Sequence, residues 1–129
     1  AVDVTHAISP GVKATKVGDI RLGGGPVIAM GPNFTKDLWN TMMKQAKDGK
    51  IPYQMEPVPG VSGTDAWALQ VLRGGRISGL VSVPNRYMHS PNEVISIKDL
   101  ENTGKLLAAV VESIQGSDIK DFTQFYEKK

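Results

Sequence analysis

Gly79-Leu80-Val81-Ser82-Val83, followed by Pro84, is the stretch on which the fold turns. It is apolar almost throughout, too short for a helix, and bounded by Gly and Pro. Such a run predicts a strand buried on both faces and closed by Pro84. Val27-Ile28-Ala29-Met30, ahead of Gly31-Pro32, reads the same way. Strands covered on both sides need helices on both sides.

The flanking sequence supplies them. Asn33 or Thr35 can cap a helix running to about Lys47, with Phe34, Leu38, Trp39, Met42, Met43 and Ala46 at spacings of three and four. Lys44 and Lys47 suit its C-terminal end, and Gly49 stops it. Ser62 with Asp65, and Ser96 with Asp99, have capping-box spacing ahead of two more helices. The first runs from Ala66 to Leu72 and ends at Gly74-Gly75. The second places Leu100, Thr103, Leu107, Val110, Val111 and Ile114 on one face. Val2-Asp3-Val4-Thr5 and Tyr53-Gln54-Met55-Glu56 alternate as strands do. Residues 9–25, with Pro10, Gly11, Gly18 and Gly23-Gly24-Gly25, read as loop around a short hairpin at Asp19–Leu22. The tail repeats helical spacing weakly through Ile119, Phe122 and Phe125 or Tyr126. Strands alternating with helices predict an α/β layered fold.

At 129 residues the chain suits one domain. Fifteen Lys and Arg against thirteen Asp and Glu leave +2, too near balance to argue for nucleic acid or an anionic membrane. With no Cys, disulfide scaffolds, Cys-ligated zinc, iron–sulfur clusters and thiol catalysis are excluded within it. A cytoplasmic location is compatible with that. The longest apolar run, Leu106 to Val111, is far short of the about 20 residues of a membrane span. No leader pattern is visible. Ala1 leads at once into a strand, so the chain is expected to be the tail part of a longer protein.

Loops leaving strand ends carry the chemistry of such sheets. That singles out Asp3 to Ala7 and Pro84 to Pro91, which hold the two His, His6 and His89. His89 sits in Arg86-Tyr87-Met88-His89-Ser90-Pro91. It reads either as a metal ligand or as an ordinary hydrogen-bonded loop His, with no H-x-x-x-H or H-E-x-x-H beside it. Asp3 lies between Val2 and Val4, where a carboxylate needs a cation, a donor or a strand end. His6 can be a second ligand or a donor to a carboxylate. Gly63-Thr64-Asp65 opens a helix and can hold a substrate carboxylate, or Ser62 and Asp65 merely cap it. Gly23-Gly24-Gly25 lacks the Lys-Ser/Thr of a phosphate loop, and no Gly-x-Ser-x-Gly is present. On spacing alone the structural reading leads at each position.

The motifs taken in order change that. They are Val2-Asp3-Val4-Thr5-His6-Ala7, Gly18-Asp19-Ile20, Gly25-Pro26-Val27-Ile28, Gly31-Pro32-Asn33, Ile51-Pro52-Tyr53-Gln54, Gly63-Thr64-Asp65-Ala66, Gly79 to Pro84, Arg86 to Pro91 and Asp99-Leu100-Glu101-Asn102. Over roughly residues 1 to 114 this set resembles the C-terminal part of the glutamyl and tetrahedral aminopeptidases. These are di-zinc metallopeptidases, some of them once labelled cellulases or endoglucanases.

The resemblance implies the C-terminal portion of a three-layer αβα zinc-peptidase catalytic domain spanning 1–129. The upstream catalytic half and the dimerisation domain would be absent. It implies two divalent ions, zinc first and cobalt second, with Asp3 a ligand of one and His89 of the other. His6 keeps a supporting role, and Thr64 and Asp65 border the substrate pocket. The remaining ligands and the Glu general base would lie upstream, so this chain alone should be inactive. The implied activity is removal of N-terminal residues from peptides by metal-activated water. The implied assembly is a homo-oligomer built from dimers, up to a dodecamer. Two alternatives stand beside it: a non-enzymatic binding or assembly module on the same fold, and a glycan hydrolase, which needs paired carboxylates about 5–9.5 Å apart.

Overall fold

Val81–Arg86 forms β4, the strand around which the sheet is built. The computed structural model describes residues 1–12 and 18–114. The other elements, in chain order, are β1 (Val2–His6), β2 (Val27–Met30), α1 (Lys36–Asp48), β3 (Gln54–Pro57), α2 (Asp65–Val71), β5 (Val94–Ile95) and α3 (Ile97–Ser113). A single 3-10 turn, Leu72–Gly74, follows α2. The helical spacing noted after Ile114 lies outside the described residues.

The strand order is β1-β4-β2-β3, with β5 added against the end of β4. β1 runs parallel to β4 and β3 parallel to β2, while β2 and β4 are antiparallel. The sheet is therefore mixed. Alternate residues serve its two faces. Ile28 and Val81, cross-strand partners, meet Met42 and Ala46 of α1 and Leu106 and Val110 of α3. Ala29 and Leu80, one step out of phase, gather Phe34 and Ala66 of α2. The expected α/β layering is present, with helices serving both faces.

Several local expectations shift. Pro84 does not close β4, which runs two residues further. The backbone groups of Val81 and Asn85 face β1 (Val81 N–H to Ala1 O, 3.1 Å; Ala7 N–H to Asn85 O, 2.8 Å), so the ring nitrogen of Pro84 faces the other way. There β2 pairs only at Val81 and Ser82, and β5 only at Asn85 and Arg86, so the missing N–H leaves no ladder bond unmade. β5 itself, two exposed residues, gave no sequence signal. No strand forms at Asp19–Leu22; Ile20 instead packs into a cluster with Ala7 and Val27.

Neither capping box forms. Thr35, Thr64 and Ser96 are the N-caps, none with a side-chain cap bond. Asp99 is fully buried and spends its carboxylate elsewhere: Oδ2 accepts from Gly23 N–H at 2.7 Å and Oδ1 from Gly25 N–H at 2.8 Å. Gln54 closes the same loop, accepting from Arg21 N–H at 2.8 Å and donating to the carbonyls of Arg21 and Gly25. The glycine triplet is thus clamped from two sides. Gly25 is required there, since its φ is +89° and a Cβ would collide with the Pro52 carbonyl.

The buried face of α3 keeps Thr103 and Val110 of the expected set, with Leu107 and Ile114 partly buried against the core, but it is shifted at its edges. Asp99, Asn102, Thr103, Leu106 and Val110 are buried, whereas Leu100 is 49% exposed and Val111 70%. Asp99 opens the buried face because its carboxylate serves the glycine loop, and Thr103 Oγ1 turns back to donate to Asp99 O at 2.8 Å. That disguised the face in a hydrophobic pattern. No helix among the described residues is long and apolar enough to cross a membrane.

Candidate metal and substrate site

Parallel pairing of β1 with β4 sets Asp3 opposite Ser82 and Thr5 opposite Pro84, all on one face. The register across β2 to β3 puts Glu56 on that face as well. Thr5 Oγ1 donates to Glu56 Oε1 at 2.7 Å. Two strands separate β1 from β3, so this bond reaches across the face of the sheet. That face carries a cavity of about 540 Å³.

The cavity brings together Asp3, His6 and His89, with Ser62 and Thr64 from the loop before α2 and Glu56 and Ser82 from the sheet. Three positions picked from sequence, Asp3, Thr64 and His89, therefore share one hollow. Asp65 does not belong to its lining; it is exposed in the first turn of α2. Thr64 Oγ1 lies 3.0 Å from Ser62 Oγ, which holds the loop shape rather than capping the helix.

The donors suit a divalent cation. One oxygen of Asp3 accepts from Val4 N–H at 2.8 Å, which fixes the carboxylate, and the other takes no bond among the described residues. The His89 imidazole makes no side-chain bond there either. Ser82 is 1% exposed, and its Oγ has no partner among the described residues. A buried hydroxyl without a partner is costly, and here it lines the cavity beside Asp3. Carboxylate oxygen and imidazole nitrogen are ordinary zinc donors. Among the described residues no three His, Asp or Glu side chains converge on one point. Two donors cannot complete a tetrahedral ion, so any closed site needs ligands from other residues.

The His89 loop is held unusually. Tyr87 and His89 have φ of +59° and +66°, a region that side chains other than Gly rarely adopt. Such strain, about 1–3 kcal/mol per residue, persists only where its surroundings enforce it. Three contacts do so: Arg86 Nε donates to Ile8 O at 2.7 Å, His89 N–H donates to Glu93 Oε1 at 2.6 Å, and Asn85 Nδ2 donates to Glu93 Oε2 at 2.8 Å. The bond from Asn85, then that from His89 N–H, holds the Glu93 carboxyl below the usual range. Sequence reasoning missed Ser82, Glu56 and Glu93. Ser82 sat in an apolar strand as a small polar residue, and Glu93 carried no motif; only the register and the turn reveal them.

The same architecture occurs in solved aminopeptidases. An aminopeptidase from the archaeon Desulfurococcus kamchatkensis superposes with a TM-score of 0.85 at 32% identity, over 98% of this chain and 37% of that one. The TET1 peptidase of Pyrococcus horikoshii, described as able to assemble into a tetrahedron or a large octahedral shell, gives 0.68 at 31% identity over 88% of this chain and 32% of its own. In sequence, a lysyl aminopeptidase of Pyrococcus furiosus is 41% identical over 118 residues, 92% of this chain and 34% of that protein. The M42 glutamyl aminopeptidase family matches residues 1–106. The chain belongs to that family, and it spans about a third of the length of these relatives.

Proposed function

We propose that this chain is part of a di-zinc aminopeptidase that removes residues from the N-termini of peptides. The supporting observation is the cavity that gathers Asp3 and His89 from two distant segments of the sequence, β1 and the loop after β4. Asp3 would hold one ion through its unbonded oxygen and His89 the other through its imidazole. The remaining ligands and the general base would come from residues beyond this chain, so the 129 residues alone would be inactive. When bound, the ions supply Lewis-acid activation of water and of the scissile carbonyl.

This chain's own residues bind and orient. The Val4 N–H keeps the Asp3 carboxylate aimed into the hollow. Ser82 Oγ can donate to the second Asp3 oxygen or to a water held there, ending its isolation. The loop from Pro57 to Thr64 forms a wall against which a peptide's first side chain would rest. Cobalt could replace zinc. The whole protein would act in the cytoplasm as a homo-oligomer built from dimers.

Hydrolysis of aminoacyl-p-nitroanilides by the full-length protein tests this. The expected result is zinc-dependent release, abolished by Asp3→Ala and His89→Ala with loss of metal. Full activity and metal content in both variants would remove the assignment.

A further inference from the structure

We infer that Glu93 is a positioning residue for His89. The inference rests on the reading of His89 as a metal ligand. His89 occupies the third position of a turn that begins at Tyr87, closed by Ser90 N–H donating to Tyr87 O at 3.0 Å. Both Tyr87 and His89 have positive φ, so the turn has no intrinsic preference for the shape that presents the imidazole.

Glu93 supplies the preference. Its two carboxylate oxygens are divided: one accepts the His89 backbone N–H, the other the side-chain amide of Asn85. Asn85 is itself part of β4, 1% exposed and opposite His6 in the β1–β4 ladder. The carboxylate therefore fastens the free part of the loop to the sheet. Its side chain does not line the cavity and makes no hydrogen bond to the imidazole among the described residues; its hold on His89 is the bond to the backbone N–H.

What matters on this account is reach and the two acceptor positions, not charge. Glu93→Gln keeps the length and one acceptor for His89 N–H. Its new NH₂ can be met by Asn85 Oδ1, which has no partner among the described residues, if the Asn85 amide turns over. Glu93→Asp keeps the charge and is one methylene too short to span both donors. Glu93→Ala removes both acceptors.

The test is zinc affinity of the full-length protein, titrated against a competing chelating dye, alongside the melting temperature of the metal-free form. Partners that orient a metal ligand typically contribute about 10–100-fold in affinity. Expected is a loss of that size at one of the two zinc sites for Glu93→Ala, a smaller loss for Glu93→Asp, and affinity close to the parent for Glu93→Gln. The metal-free melting temperatures should stay together. Parental affinity in Glu93→Ala, or an order in which Asp outperforms Gln, overturns the inference. If Glu93→Ala does not fold, the order of Gln and Asp still decides. His89→Ala is the control: if it too keeps parental affinity, the ligand assignment fails, whereas its loss beside an unaffected Glu93→Ala rejects Glu93 alone.

Discussion

Asp3 and Ser82 are direct partners across the parallel β1–β4 ladder, and the buried Ser82 hydroxyl has no hydrogen-bond partner among the described residues. A polar atom in that position destabilises the protein until something arrives to satisfy it. Ser82→Ala should therefore leave the metal-free protein as stable or more stable by up to about 1 kcal/mol. Urea unfolding checks this. A loss of more than that would mean the hydroxyl already has a partner, and its link to the cavity would fall.

Asp99 is expected to be among the most sensitive positions. Its carboxylate serves two backbone donors of the glycine loop from a fully buried site. Asp99→Ala leaves both N–H groups unsatisfied, at a cost of about 2–5 kcal/mol. Asp99→Asn retains one acceptor and should cost less. Equal stability of Asp99→Ala and the parent in urea would contradict the clamp.

The glycine triplet should respond unequally. At Gly25 an added Cβ meets the Pro52 backbone, while at Gly23 it meets nothing within 4 Å. Both have positive φ. Gly23→Ala should cost about 1–2 kcal/mol from the backbone conformation alone. Gly25→Ala adds a collision with main chain that no rotamer relieves, and should abolish soluble expression. Similar yields and melting temperatures for the two would refute the distinction.

Most of the fold could be read from apolar runs. Val27–Met30 reads as a strand with the bounds observed, and the helix stopped by Gly49 with its N-cap at Thr35 was one of the two expected. What escaped was whatever depends on partners distant in sequence. Pro84 looks like a terminator until the ladder shows that its ring nitrogen faces a gap. Ser96 and Asp99 look like a cap until Gly23 and Gly25 claim the carboxylate. The site was legible in the same measure. Asp3, Thr64 and His89 stood out by residue type and order of motifs, and they share a cavity; Asp65, chosen beside Thr64, faces outward. Glu93 could not be found that way, because its role exists only in the geometry of the turn it closes.

The shifted face of α3 gives a direct comparison. Leu106 is fully buried against Ile28, Met42 and Val81, while Leu100 is half exposed. Leu106→Ala should cost about 2–5 kcal/mol, and Leu100→Ala about 0.5 kcal/mol or less. A reversed order in urea unfolding would restore the face expected from the hydrophobic pattern.

The central claim is that Asp3 and His89 each hold one metal ion of a pair. The most direct measurement is zinc content per subunit of the full-length protein by plasma mass spectrometry. It would be run beside Asp3→Ala, His89→Ala and the 129-residue chain. Two ions are expected in the parent, with a loss of about one in each variant and little zinc on the isolated chain. Two ions retained in both variants, or none on a folded and zinc-supplemented parent, would contradict that claim.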